Sequence, residues 1–169
     1  WGDEFRWLNS GEVANFPVVS SELGITQKGI DNSATKLMPV GTTVVSITGN
    51  IRASVLAIES CANQSVVGIY ETDKLKHSYI YPLISSLLNK YAAISTGNCQ
   101  THINKGTIED TVVVVPPEAI LESYNAICAP IYKKIQSTAL QNKELISLRN
   151  FFLPLLMNGQ ITVEAGDER

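Results

Sequence analysis

The sequence predicts an α+β protein: a globular domain of short twisted β-strands with a covering helix, followed by a long coiled-coil-type helical arm. Up to about residue 70, short runs of β-branched residues alternate with Gly, Pro and Asn, which is typical of strands and turns. Between residues 77 and 95, apolar residues recur every three or four positions, which is the period of an amphipathic helix. Beyond residue 117 the chain is again helical in pattern, without strand signals.

The bulk composition fits a soluble globular protein. Of the 169 residues, 44% are hydrophobic and 17% are charged, and this length suffices for one domain with a helical extension. We expect no membrane association, because no apolar run approaches the roughly 20 residues that cross a bilayer. Cys61, Cys99 and Cys128 have no paired spacing, so a reducing cytoplasmic setting is expected. The chain begins at Trp1, which suggests a piece of a longer polypeptide.

The first strands are predicted around a polar loop. The aromatic residues at 5–8 predict an edge strand. Residues 26–36 predict a polar loop that carries two lysines. A turn follows, because Pro39 fixes its own φ and Gly41 tolerates a positive φ. The β-branched run at residues 42–47 then predicts a half-buried strand.

Two further strands are predicted at residues 54–58 and 65–69, with a polar loop at 59–64 between them. The side chains of Asn63 and Gln64 in this loop are expected to tie neighbouring backbone groups together, as turn amides often do.

The stretch at 77–95 predicts the covering helix. Ser78 is a plausible N-cap, and Pro82 is expected to confine the regular helix to a start near Tyr81. Gly97 fits a C-terminal cap.

After a polar stretch at 98–106, residues 111–115 predict a buried strand that closes the domain at Pro116. We therefore place the globular domain at 1–116, the helical arm at 117–158 and a tail at 159–169. Proline cannot donate the backbone bond of a helix interior, so Pro130 is expected to separate two helices of the arm. The second, from Pro130 to Asn150, would be roughly 31 Å long.

The arm carries a narrow apolar seam with a polar gap around Thr138 and Asn142. The seam comprises Ile131, Ile135, Leu145, Leu148 and Phe152. One seam on a long helix predicts a partner helix, and packing against its own domain is the alternative. Pro154 and the Asn158-Gly159 pair are expected to end the helix.

The motifs of an enzyme are missing. The sequence contains neither a phosphate-binding G-x-x-x-x-G-K-[ST] loop nor a G-x-G-x-x-G turn. Cys99 and His102 offer one possible pair of zinc ligands, but no second pair has matching spacing, so a four-ligand site is unsupported. His77 and His102 lie far apart, and both are expected on surfaces or loops. We predict no catalytic residue, no metal site and no cofactor in this chain.

Three segments in order resemble the specificity subunits of type I restriction-modification enzymes. The first contains Gly29-Ile30, Asn32-Ser33-Ala34, Lys36-Leu37, Pro39, Gly41-Thr42 and residues 47–49. The second is GNCQTHINKGTIEDTVVVVP at 97–116, and the third is NKELISLRNFFLPLLMNGQI at 142–161. The first two are similar to a target recognition domain, and the third resembles the end of the helical conserved region that follows it.

The resemblance implies a non-catalytic protein that recognises double-stranded DNA. In this family two such units, or a homodimer of one, each contact one part of a split target, and their arms form a spacer that holds the methylation and restriction subunits. S-adenosylmethionine, ATP and magnesium would belong to those partners. Its C-terminal stretch is similar to the carboxyl-terminal half of such a subunit.

Candidate DNA contacts are the polar and basic residues of the two loops and of the turn between strands, because amides pair with adenine and lysine pairs with guanine or phosphate. They are Lys28, Asn32, Ser33, Lys36, Asn50, Arg52, Asn98, Gln100, His102, Asn104 and Lys105. The net charge of −3 predicts weak DNA binding by the chain alone. Two alternatives remain: the recognition domain of a fused restriction-methylation enzyme, and a helix-mediated assembly module that binds no DNA.

Overall fold

Two small sheets and a long helix organise the chain. The computed structural model describes residues 1–94 and 102–162. The strands are β1 (Phe5–Leu8), β2 (Leu23–Ile25), β3 (Thr43–Ser46), β4 (Arg52–Val55), β5 (Ser60–Ala62) and β6 (Val66–Ile69). The helices are α1 (Gln27–Asp31), α2 (His77–Ile94), α3 (Lys105–Glu109) and α4 (Glu118–Met157), with a 3-10 turn at Glu12–Ala14. This arrangement confirms the predicted α+β class with a long C-terminal helix.

The first sheet has the order β2-β1-β5. β1 pairs antiparallel with β2 and parallel with β5, so it is the central strand and the predicted edge position is wrong. The cause is β5, which forms within the stretch expected to be a polar loop. Cys61 of β5 is fully buried, and its apolar side chain explains why this stretch joins the sheet.

The second sheet has the order β4-β3-β6 and is antiparallel throughout. All four residues of β3 are buried, because both faces of the sheet are covered. Val45 belongs to a core shared with α2, whereas its neighbour Val44 belongs to a core shared with Leu8 of the first sheet. The alternation of side chains along a strand therefore makes β3 the element on which both cores are built.

Helix α1 occupies part of the stretch expected to be a loop. Its first turn is capped by Thr26, whose Oγ1 accepts a hydrogen bond of 3.1 Å from the backbone N–H of Gly29. Glu4 also accepts a bond of 2.8 Å from the N–H of Gln27. These two acceptors satisfy N–H groups that a short helix leaves unpaired, which explains how a glycine-containing segment forms a helical turn.

Helix α2 begins earlier than expected. It starts at His77 and includes Pro82, so the predicted start near Tyr81 is wrong, and Ser78 lies inside the first turn rather than at the cap. Pro82 costs the helix one hydrogen bond, because its missing N–H would have donated to the carbonyl of Ser78, and the hydroxyl of Tyr124 donates to that carbonyl instead. The proposed cap at Gly97 lies outside the described residues.

The stretch at 111–115 is not a strand. Val112 and Val114 are 93% and 85% exposed, and this stretch pairs with neither sheet. β-branched residues favour a strand only where a neighbouring strand pairs with them, and neither sheet includes this stretch. The connection to α4 is an extended, exposed segment.

Helix α4 is continuous from Glu118 to Met157, so the predicted break at Pro130 is wrong. The carbonyl that Pro130 leaves without its helical donor belongs to Ala126, an exposed residue, and water can satisfy it. Pro154 also lies within the helix, which ends instead at Asn158. Gly159 has a φ of 67° there, and the N–H groups of Gly159 and Gln160 bond back to the last turn.

Candidate nucleic-acid interface

A cleft of about 670 Å³ opens between the two sheets. Its floor is apolar and includes Met38, Val67 and Gly68, and two aromatic side chains, Trp7 and Tyr70, also line it. Its polar lining comes from three separate parts of the chain. These polar residues are Ser33, Thr35, Lys36, Asn63, Gln64 and Lys105. We call this feature the polar cleft.

The loop after α1 is anchored to the first sheet. Thr35 donates a hydrogen bond of 2.9 Å from Oγ1 to the carbonyl of Ala62 in β5. The Oγ of Ser33 donates to the carbonyl of Ile30 at 3.3 Å. With both ends of the loop fixed, exposed Lys36 is held at the polar cleft.

The turn between β5 and β6 contributes two amides with different environments. The Oδ1 of Asn63 accepts bonds from the N–H of Ser65 at 3.0 Å and from its Oγ at 2.5 Å, so Asn63 ties the turn together as predicted. Gln64 is exposed, and its amide has no hydrogen-bond partner among the described residues. That free amide lines the polar cleft and is available to a ligand.

Residues 102–105 are placed by the end of β3. The N–H of Ile103 donates to the carbonyl of Ile47 at 2.9 Å, and the side chain of Ile103 is 2% exposed. This attachment brings Lys105, at the start of α3, to the polar cleft. The Nζ of Lys105 lies 3.0 Å from Oε1 of Glu109, and both side chains remain well exposed. The segments containing Lys36 and Lys105 therefore converge on one site.

A second polar group lies at the turn between β3 and β4. The Oγ of Ser46 donates to the carbonyl of Asn50 at 2.6 Å and accepts from the N–H of Arg52 at 3.0 Å, which fixes the turn. His102 pairs with Thr48 beside this turn, with its Nδ1 3.3 Å from Oγ1 of Thr48. The exposed side chains of Asn50, Arg52 and His102 do not line the polar cleft.

The eleven candidate residues thus separate into groups. Three line the polar cleft: Ser33, Lys36 and Lys105. Six others are exposed outside it: Lys28, Asn32, Asn50, Arg52, His102 and Asn104. The amide nitrogen of Asn32 already donates to the carbonyl of Lys28 at 2.8 Å, at the end of α1. Asn98 and Gln100 lie outside the described residues, as does Cys99 of the suggested zinc pair.

Sequence reasoning missed Trp7, Thr35 and Tyr70 as cleft residues. It expected Gln64 to tie neighbouring backbone groups, but only Asn63 makes such bonds among the described residues. Trp7 had a usable signal, because it alternates with buried Leu8 along β1 and so points to the opposite face. Tyr70 had none, since it reaches the site only because β6 lies against β3.

Cys61 contacts the cleft residue Thr35 but does not itself line the cleft. Burial raises the pKa of the Cys61 thiol, and a hydrogen bond with Thr35 only partly opposes this, so the thiol stays protonated and inert. In residues 1–94 and 102–162 no cluster of three or more His, Cys, Asp or Glu side chains is arranged to hold a metal ion. Within the same two ranges no helix has the length and apolarity to span a bilayer.

The predicted seam of α4 is largely exposed in this chain. Ile135 is half-buried, whereas Ile131, Leu145, Leu148 and Phe152 are between 43% and 61% exposed. The helix packs against its own domain through a different stripe, made of Leu121, Tyr124, Cys128 and Tyr132. Most of the predicted seam is therefore an exposed apolar surface, which extends along the distal part of the arm.

Fold and site together define a two-part protein, with a small α+β domain that carries the polar cleft and a helical arm. No family model matches the chain. It is 29% identical over 89 residues to the specificity subunit of the type I restriction enzyme MjaIX of Methanocaldococcus jannaschii, covering 53% of this chain and 21% of that protein. It is 22% identical over 168 residues to the HindI specificity subunit of Haemophilus influenzae, covering 95% and 36%.

The crystal structure of the HsdS subunit from Thermoanaerobacter tengcongensis shares the fold. Its TM-score is 0.56 at 14% identity, and the match covers 95% of this chain and 39% of that one. The chain spans at most 36% of the length of the two curated relatives. The predicted resemblance is confirmed: this chain is similar to one half of a type I restriction enzyme specificity subunit. Both relatives are named as specificity subunits.

Proposed function

We propose that this chain recognises one part of a split double-stranded DNA target, as half of a type I specificity subunit. The observation that carries the proposal is the polar cleft, where Ser33, Lys36, Gln64 and Lys105 converge from three separate stretches. Lysine and amide side chains bind phosphates and the major-groove edges of guanine and adenine. Gln64 joins the eleven candidate residues predicted from the sequence.

The charge of the chain favours specific over general DNA binding. Its net charge is −3, so counterion release can contribute little, and affinity must come from a few placed contacts and from partner subunits. We propose that the globular domain comprises residues 1–116 and the arm 117–158. The arm would dock methylation and restriction subunits and the other half or a second copy. Those partners would bind S-adenosylmethionine, ATP and magnesium, and the complex would be cytoplasmic.

The test is a binding selection with the complete complex that contains this chain. A duplex library with randomised positions should yield one split motif. Gln64→Ala should relax a single adenine position by about 1–3 kcal/mol of discrimination, because the free amide is suited to pair with adenine. Gln141→Ala is the matched control, since Gln141 is an exposed glutamine on the arm. If the complex enriches no sequence, the proposed function is wrong.

A second candidate is an assembly module that binds no DNA. The exposed apolar residues on the distal arm, among them Leu145 and Met157, favour it, since they indicate protein partners. Under this alternative the complex would still assemble, but no duplex would be retained even at low salt. The recognition domain of a fused restriction-methylation enzyme is distinguished by a catalytic region in the same polypeptide.

A further inference from the structure

The first part of α4 is fastened to the globular domain at successive points along its length. Lys74 contacts Glu118 at 3.2 Å, an exposed ion pair that adds little. Further along, the Nζ of Lys143 donates to the carbonyl of Val19 at 3.0 Å. Two stronger contacts lie between these ends, and together they fix the direction in which the arm leaves the domain.

The first of these contacts depends on Pro82 in α2. Because Pro82 has no N–H, the carbonyl of Ser78 lacks its usual helical donor. The Oη of Tyr124 in α4 donates to that carbonyl at 3.1 Å. The Oγ of Ser78, a buried residue, also donates to Oδ1 of Asn125 at 2.7 Å. Buried hydrogen bonds of this kind are directional, so they fix both the rotation and the height of α4 against α2.

The second contact is a cluster of four rings, which we call the aromatic joint. Phe16 stacks on Tyr81 with ring centroids 4.6 Å apart. Tyr132 of α4 meets Phe16, Tyr81 and His77 edge-on, at 6.4, 6.3 and 5.4 Å. His77 is held in turn by Glu71, whose Oε1 lies 2.5 Å from Nδ1 and accepts the backbone N–H at 2.8 Å. Edge-to-face pairs have a preferred geometry, so the joint resists tilting of the arm.

Both tyrosines on α4 remain neutral under ordinary conditions. Burial raises the pKa of Tyr124 to about 12, and a hydrogen bond with Cys128 adds to the rise. Burial, with smaller contributions from Tyr81 and Cys128, also raises the pKa of Tyr132. The contacts of the arm with the domain are therefore not changed by deprotonation of these phenols.

We infer that Tyr124 and Tyr132 are positioning residues that set the distance between the two parts of the DNA target. This inference rests on the proposed function, in which two clefts are joined through their arms. From Tyr132 to the end of the helix at Met157 the arm extends roughly 38 Å. A tilt of about 10° would move that end by roughly 7 Å, which is two base-pair steps of about 3.4 Å each. Neither tyrosine lines the polar cleft.

The experiment uses the complete complex and a duplex library in which two randomised segments are separated by spacers of different length. The complex with the unmodified chain should favour one spacer. Tyr132→Ala removes the joint, and Tyr124→Phe removes only the hydroxyl and should leave the domain folded. In each variant the preference for that spacer over its neighbours should fall by about fivefold, the effect of losing about 1 kcal/mol of restraint. The bases selected within each segment should not change.

Lys133→Ala is the matched control, because Lys133 is exposed on α4 between the residues of the joint and the distal arm. It should keep the narrow spacer preference. An unchanged spacer preference in Tyr124→Phe and Tyr132→Ala overturns the inference while DNA recognition stands. Relaxed base selection with an intact spacer also overturns it. An unmodified complex that enriches an uninterrupted motif contradicts the split target, and one that enriches nothing contradicts the proposed function itself.

Discussion

Removing the positive charge of Lys36 tests the polar cleft more directly than any other single change. Lys36 is exposed and has no ion-pair partner among the described residues, whereas Lys105 is paired with Glu109 across 3.0 Å. The uncompensated lysine should attract a phosphate more strongly. We therefore expect Lys36→Ala to weaken DNA binding more than Lys105→Ala does. By the same argument, Glu109→Gln should strengthen binding, because it releases Lys105.

The expected magnitude follows from counterion release. Each phosphate contact contributes about 0.9 to the slope of log affinity against log salt. If Lys36 contacts one phosphate, Lys36→Ala should lower the slope by about that amount. Between about 50 and about 200 mM salt, the defect of the variant should then shrink by about 3.5-fold. The slope of the isolated chain should be shallow throughout, since its net charge is −3.

The assay is an anisotropy titration of the complete complex with a labelled duplex carrying its selected motif, at four or more salt concentrations. Lys90→Ala is the control, because Lys90 is exposed on α2 and does not line the cleft. An unchanged slope in Lys36→Ala would refute the phosphate contact. If the variant relaxes one guanine position instead, Lys36 contacts a base edge. If Lys90→Ala has the same effect as Lys36→Ala, the cleft has no special role.

Two further predictions concern the arm and the core. The double change Leu145→Glu and Phe152→Glu should prevent the distal arm from docking to its partner subunits while the domain stays folded, because a buried unpaired charge costs several kcal/mol by order of magnitude. An unchanged sedimenting mass of the complex would show that this surface has no partner. Tyr91→Phe should lower the free energy of unfolding by about 1 kcal/mol and the melting temperature by about 2–4 °C, because the buried Tyr91 hydroxyl lies 3.1 Å from Oγ1 of Thr111. An unchanged melting temperature would mean that this hydrogen bond contributes nothing to stability.

Local patterns predicted β3 and its turn because they are decided within a few residues. Residues 42–47 are mostly β-branched and follow a glycine, Gly41, whose φ is 88°. The stretch at 111–115 is also β-branched, but neither sheet includes it, so propensity alone gave the wrong element. Sequence can show which residues favour a strand, whereas only the packed structure decides which of them find a partner.

The candidate site divides in the same way. Lys36 and Lys105 were predicted from loop composition, and β3 brings their loops together. Gln64 was assigned only a role within its turn. Its amide is left without a partner among the described residues because Asn63 makes the turn hydrogen bonds. On the arm, the pattern could not tell that Tyr124 and Tyr132, rather than Ile131, face the domain, since both stripes have helical spacing.

Pro82 helps to fix the position of α4, because α2 lacks the hydrogen bond that the N–H of residue 82 would otherwise make. The carbonyl of Ser78 is left for a donor outside α2, and only a side chain at the height of Tyr124 supplies it. Pro82→Ala would return that carbonyl to its own helix and favour helix formation in α2. The position of α4 against α2 would then be less tightly fixed, because the Tyr124 hydroxyl would no longer be needed by that carbonyl. Proline, a residue known for breaking helices, thus helps here to define the position of a second helix. A more regular α2 would define the position of α4 less narrowly than the irregular one does.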